Sequence, residues 1–193
     1  MTVAGLLLAA GAGRRMGGPK ALVELDGEAL VQRGIRLLRD GGCAPVVVVL
    51  GAAADEVRPL CDGAQVVVAP DWDSGMAASL RAGLAALDGE ACVVALVDQP
   101  GVTPEVVHRL RSAHEAGAPA AVASYDGHPR NPVLLDRSVW SAVAATATGD
   151  EGARGWLRAH PGLVVEVDCS DAGSPRDLDT PQDLDAHRRK AAR

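Results

Sequence analysis

Leu6-Leu7-Leu8-Ala9-Ala10-Gly11-Ala12-Gly13-Arg14-Arg15-Met16-Gly17-Gly18-Pro19-Lys20 is an apolar run that stops abruptly in a glycine-rich loop carrying three cations and no acid. A strand followed by small residues lets backbone N–H groups approach phosphate oxygens, and Arg15 and Lys20 supply mobile charge to neutralise them. The stretch therefore reads as a phosphate pocket at the end of a strand. Two familiar phosphate loops each fail on a required position. A dinucleotide fingerprint would place its third glycine where Met16 stands, and a P-loop would follow its lysine with serine or threonine where this chain has Ala21.

Charge sharpens the reading. The 193 residues carry a net charge of -6, and because residues 1–20 hold Arg14, Arg15 and Lys20 without an acid, positions 21–193 must sum to -9. A locally positive loop on an acidic protein suits a small polyanion; a nucleic-acid backbone would need an extended basic face. Aromatic residues make up only 2% of the chain, with no Phe, so stacking platforms for bases are scarce. No apolar run approaches membrane-spanning length. Neither a nucleic acid nor a membrane is an expected partner.

The length and a hydrophobic content of 48% fit one substantial core, hence a single domain over 1–193. Cys43, Cys61, Cys92 and Cys169 are widely spaced with no Cys-x-x-Cys pair, and the chain opens without the order of a signal peptide. A cytoplasmic protein with reduced thiols is expected.

Short apolar runs at Val3–Leu8, Val46–Leu50, Gln65–Ala69, Cys92–Val97, Ala120–Ser124, Val133–Leu135 and Leu163–Val167 alternate with longer segments of helical pattern. Several are apolar on successive residues, as strands covered on both faces should be. The order predicts an α/β fold of three layers with a mostly parallel central sheet. Thr103-Pro104-Glu105 and Thr180-Pro181-Gln182-Asp183 each place a capping hydroxyl before proline, predicting helices over about 103–116 and 180–190. The irregular stretches Ser124–Pro132 and Thr146–Gly155 are expected to be loops on the ligand side of the sheet.

The opening segment, read as Leu8-Ala9-Ala10-Gly11-x-Gly13-x-Arg15-Met16-Gly17-x-Pro19-Lys20, resembles the signature of the MobA-like nucleotidyltransferases. Trp72-Asp73-Ser74-Gly75-Met76-Ala77-Ala78-Ser79-Leu80, Asp98-Gln99-Pro100, Gly149-Asp150-Glu151-Gly152-Ala153-Arg154 and Asp177-Leu178-Asp179-Thr180-Pro181 resemble the molybdenum cofactor cytidylyltransferase branch. The resemblance implies a Rossmann-like nucleotidyltransferase fold and transfer of a nucleoside monophosphate from an NTP, with magnesium, to a phosphorylated acceptor as pyrophosphate leaves. Ala10, in the Leu-Ala-Ala-Gly form, implies CTP, and the branch implies the phosphate of molybdopterin as acceptor. A client molybdoenzyme as a further partner is compatible with it. Two other activities stay open: guanylyl or other nucleotidyl transfer to a different phosphorylated acceptor, and a non-catalytic carrier or chaperone of the cofactor.

The residues then take separate tasks. Asp98 follows the apolar run ending at Val97, so it should project from the carboxyl edge of a central strand, where magnesium held by one or two carboxylates and substrate phosphates fits. Asp179 is the second carboxylate, either a metal ligand or a cap for the helix after Thr180. Arg15 and Lys20 would stabilise charge on the triphosphate as it builds. The nucleotide would lie against Leu8, Ala9, Ala10, Gly11 and Gly13. Ser74, Gly75, Met76 and Ser79 are expected to open a helix whose N–H groups face it, with Asp71 accepting from ribose or base. Arg130, Asn131 and Arg154 are the expected acceptor contacts. In Gly127-His128-Pro129-Arg130-Asn131-Pro132 the glycine that relatives place before this Asn is replaced by Arg130, which bears on the acceptor's identity.

Overall fold

The computed structural model describes residues 2–191, so Met1, Ala192 and Arg193 of the expected domain lie outside the described residues. Seven strands form one sheet in the order β5 (Gln65–Val68), β4 (Val46–Leu50), β1 (Val3–Leu8), β6 (Ala91–Leu96), β8 (His128–Asp136), β7 (Ala120–Tyr125), β9 (Val164–Asp168). Every neighbouring pair is parallel except those made by β8, which runs against β6 and β7. A separate two-stranded ribbon joins β2 (Glu24–Leu25) to β3 (Glu28–Ala29).

Strand alternation explains the layers. Along β1, Val3 and Leu7 enter one core while Ala4, Leu6 and Leu8 enter the other; β4 divides Val46, Val48 and Leu50 from Val47 and Val49 in the same way. The first face is covered by α1 (Leu30–Asp40) and α4 (Pro104–Glu115), the second by α3 (Met76–Ala85), α5 (Arg137–Thr146) and α6 (Arg154–Ala159). Two faces covered by helices are why β1 and β4 have no exposed residue, and the result is the three-layer α/β arrangement. The short α2 (Ala54–Val57) and the C-terminal α7 (Pro181–Ala191) complete the chain. No helix among the described residues is long and apolar enough to cross a membrane, and all four cysteines are buried and unpaired. Burial pushes the Cys43 thiol up to about 11.

The sheet reverses its direction of growth at β1. From there the chain adds β4 and β5 on one side and β6 with everything later on the other. Loops leaving the carboxyl ends of β1 and β6 diverge at such a point and leave a crevice between them. Leu8 and Leu96 sit opposite each other at its floor, and the Val97 N–H donates to the Leu8 carbonyl.

Two local expectations are corrected. The stretch 124–132 is the turn of a β-hairpin rather than a loop: Asp126 (φ 52°) and Gly127 (φ 75°) form the two-residue connection between β7 and β8. Asp-Gly with both residues at positive φ is the turn whose twist matches paired strands. The pairing register shifts between Val122 and Ala123, the irregularity that leaves room for Asn131 and Pro132 in β8. Second, the Thr103 hydroxyl does not cap α4; it donates to the Ala172 carbonyl. The expected cap at Thr180 is present as a reciprocal box, with the Asp183 N–H donating to Thr180 Oγ1 and the Thr180 N–H to Asp183 Oδ2.

Candidate active site

A cleft of about 380 Å³ opens over the crevice between β1 and β6. Of the eighteen residues lining it, the loop after β1 contributes Ala10 to Arg15 and Lys20, the end of β6 gives Val97 and Asp98, and Asp179 closes the far wall. The loop is shaped by Gly13. Its carbonyl accepts from the N–H groups of Met16, Gly17 and Gly18, and at φ +57° a Cβ there would lie 2.0 Å from the Gly18 oxygen.

Lys20 is the centre of the site. Its Nζ lies 2.6 Å from Asp98 Oδ2 and 2.6 Å from Asp179 Oδ1, and Arg15 Nη2 approaches Asp179 Oδ1 at 3.1 Å. Burial alone would draw the Lys20 ammonium down, but its hydrogen bonds to Asp179 and Asp98 outweigh this and raise it. The hydrogen bond from Lys20 holds the Asp179 carboxyl below the usual range. Lys20 is therefore charged, and two carboxylates from distant parts of the chain converge on one cationic point. Asp179 does not cap α7, because its carboxylate is engaged here and Thr180 with Asp183 makes the cap.

Asp98 is carried two residues beyond the end of β6. Asp179 stands on the irregular segment 173–180, which is anchored by Leu178, fully buried, and by the Leu178 N–H donating to the Asp98 carbonyl at 2.8 Å. Leu178→Ala should cost about 2–5 kcal/mol through the cavity it opens. It should also loosen Asp179. Chemical denaturation beside an activity assay checks both, with activity falling even where the protein is fully folded.

The expected nucleotide contacts are only partly brought together. Leu8, Ala10, Gly11, Gly13, Gly75, Met76 and Ser79 line the cleft, whereas Ala9, Asp71 and Ser74 do not. Ala9 is buried in the core on the α1 side, Asp71 is exposed, and the Ser74 hydroxyl donates to the Asp71 carbonyl. The start of α3 is not open to a phosphate as expected: the Met76 N–H donates to Asp150 Oδ1 and the Ala77 N–H to the Gly149 carbonyl. At Gly75 a Cβ would lie 2.6 Å from the Gly149 oxygen, so the two loops pack backbone to backbone. Trp72, Asp73 and Asp150 are wall residues to which the sequence had assigned no role. Gly149-Asp150 stood out as a motif, but nothing local tied it to the start of a helix seventy residues earlier.

A second cavity of about 200 Å³ adjoins the first, sharing Leu8, Met76 and Leu96 with it. Its floor is apolar, with Leu80, Val94, Val122 and Val133, and Arg130, Asn131 and Arg154 stand around it. Arg158 is paired with Glu151 at 2.8 Å, but among the described residues no carboxylate lies within ion-pair distance of Arg130 or Arg154. Unpaired guanidinium groups beside an apolar floor fit an anionic group attached to a flat or greasy body.

The chain matches the MobA-like NTP transferase domain over residues 5–164. It is 44% identical to nicotine blue oxidoreductase from Paenarthrobacter nicotinovorans, covering 94% of each chain. It is 34% identical to molybdenum cofactor guanylyltransferase from Rhodobacter capsulatus, covering 95% of this chain and 94% of that one. Among solved structures, Rv0371c from Mycobacterium tuberculosis H37Rv superposes with a TM-score of 0.85 at 30% identity, over 98% of this chain and 99% of that one. A complex of Rv0371c with manganese superposes with a TM-score of 0.80 at 28% identity, over 99% of this chain and 100% of that one.

Proposed function

This chain belongs to the MobA-like NTP transferase family, and we propose that it is a single-domain cytoplasmic enzyme moving CMP from CTP to the phosphate of molybdopterin. The observation that carries the reading is the convergence of Asp98 and Asp179 on the Lys20 ammonium beneath the glycine loop.

The donor set fits a divalent cation. The cleft lining holds Arg14, Arg15 and Lys20 against Asp73, Asp98, Asp150 and Asp179, so an ionised triphosphate would enter with its charge uncompensated. Two carboxylates already gather around one positive centre, the number magnesium takes when phosphates and water complete its shell. Asp98 and Asp179 would hold it. An ion held there would supply charge withdrawal from the phosphates. The manganese bound by Rv0371c supports a divalent ion in this chain too.

The chain's own residues do the remaining work. Backbone N–H groups of the loop after β1 and the side chains of Arg15 and Lys20 fix the triphosphate, with Lys20 turning from the carboxylates to a phosphate oxygen. Arg130, Asn131 and Arg154 hold the acceptor in the adjoining cavity, so that its phosphate oxygen faces the α-phosphorus across Leu8, Met76 and Leu96. That oxygen forms the new bond as the bond from the α-phosphorus to the bridging oxygen breaks, and pyrophosphate leaves with the electron pair. The acceptor phosphate is already ionised at neutral pH, so no general base is needed. Among the described residues, no histidine lines either cavity.

Ala10 supports CTP, whereas the relatives named guanylyltransferases favour GTP. The test is pyrophosphate release with magnesium and molybdenum-loaded molybdopterin, comparing CTP, GTP, ATP and UTP. CTP should far exceed the others; preferential use of GTP overturns the base assignment and leaves the reaction type standing. Arg154→Ala should raise KM for the acceptor roughly tenfold, the loss of a charge-assisted contact, with KM for the nucleotide unchanged.

A second reading, an oxidoreductase, is favoured by the 44% identity to nicotine blue oxidoreductase. The same loop would then hold the pyrophosphate of a dinucleotide. Met16 at the third glycine position and the Asp98–Lys20–Asp179 cluster weigh against it. Oxidation of a reduced nicotinamide dinucleotide by the purified protein, coupled to reduction of an added two-electron acceptor and without any NTP, would support it.

A further inference from the structure

We infer that Gln99 is a positioning residue that holds Asp179 at its working separation from Asp98. The inference rests on reading those two carboxylates as the metal pair. Gln99 is 6% exposed, and its Nε2 donates to Asp177 Oδ1 at 2.8 Å and to the Pro175 carbonyl at 3.2 Å. It follows Asp98 directly, so one dipeptide presents a carboxylate to the cleft and an amide to the segment that carries the other carboxylate. That segment, residues 173–180, has no ladder of its own. Its ties to the end of β6 are the Leu178 N–H to the Asp98 carbonyl, the Ser174 N–H to the Gly101 carbonyl, and the two Gln99 bonds between them.

The backbone bonds fix where the segment lies. The Gln99 amide fixes how it is turned, because it grips Pro175 and Asp177 on either side of Arg176 and leaves Asp179 two residues on. It also supplies a donor to Asp177, a carboxylate that feels the charge of both Asp98 and Asp179. A buried amide bonded to Asp177, next in sequence to one proposed metal ligand and reaching the segment of the other, can orient the pair as outer residues orient metal ligands.

Methionine at 99 keeps the volume and removes both donors. Gln99→Met should weaken Mn²⁺ binding, followed by the loss of the free-ion EPR signal, by roughly 10- to 100-fold. KM for the acceptor should be unchanged. Asp177→Asn removes a charge but keeps an acceptor for Gln99, so Gln99→Met should cost as much in that background as in the wild type. In Asp177→Ala, where the bond to Asp177 is already lost and only the one to the Pro175 carbonyl remains, it should cost less than in the wild type, as residues sharing a contact do. Hydrogen exchange of the 174–179 segment should quicken in Gln99→Met with or without metal. Unchanged Mn²⁺ affinity and unchanged exchange in folded Gln99→Met would overturn the inference, as would an equal cost in all three backgrounds. Failure of the metal reading looks different: Asp98→Asn would bind Mn²⁺ as the wild type does, while the exchange effect of Gln99→Met persisted.

Discussion

Lys20→Met is expected to lower the rate of nucleotidyl transfer by ~10²- to 10³-fold, the scale of losing one well-placed charge at a developing anion. Methionine keeps the length of the side chain and most of its packing, so the loss should fall on kcat and leave the fold in place. A second effect follows from the same geometry. In the wild type one ammonium separates the Asp98 and Asp179 carboxylates, 2.6 Å from each. Without it they face each other, and the largely exposed Arg15 offsets them poorly. Stability should fall by about 1–2 kcal/mol, reduced from the fully buried case by partial solvent access. Magnesium should restore it. Calorimetry with and without magnesium should therefore show a larger rise in Tm for Lys20→Met than for the wild type. A variant that turns over at the wild-type rate would remove Lys20 from the mechanism.

Gly13→Ala is expected to reduce kcat/KM for the nucleotide by ~10²-fold or more, the cost of displacing binding groups by about 1 Å. A methyl group at this position would stand 2.0 Å from the Gly18 oxygen and 3.0 Å from its carbonyl carbon, both backbone atoms. No side chain can swing aside to relieve that contact. The turn must open, breaking the hydrogen bonds from Met16, Gly17 and Gly18 that converge on the Gly13 carbonyl and displacing Arg14, Arg15 and Lys20 together. Gly18→Ala is the control, since a Cβ there meets nothing within 4 Å. It should keep near wild-type kinetics. Equal losses in the two variants would mean that the loop needs flexibility rather than its observed shape.

Much of this is legible in the sequence alone. Runs such as Val46–Leu50 are apolar on successive residues because both faces of a parallel strand are covered, and that pattern is local. Asp98 could be placed because a carboxylate directly after such a run must emerge at the carboxyl edge. Asp179 could be read only as ligand or cap, since the choice depends on Lys20 Nζ, which approaches from the other end of the chain. The hairpin at 124–132 has a strong turn signal in Asp126-Gly127, but Pro129 and Pro132 interrupt the apolar run, and only the pairing shows that a bulged strand accommodates them. The helix start at Met76 was misjudged as open because its partners, Gly149 and Asp150, are distant in sequence and belong to a loop without periodicity.

Nucleotidyl transfer is decided by the fate of the α-phosphorus of the nucleotide. Purified protein, magnesium and molybdenum-loaded molybdopterin are given CTP labelled at the α-phosphate, and both products are quantified. Label should move to the pterin, with one pyrophosphate released per label, and both should be lost in folded Asp98→Ala. Label that stays in CTP, in a folded protein that instead oxidises a reduced nicotinamide dinucleotide at the expense of an added two-electron acceptor, would contradict that transfer.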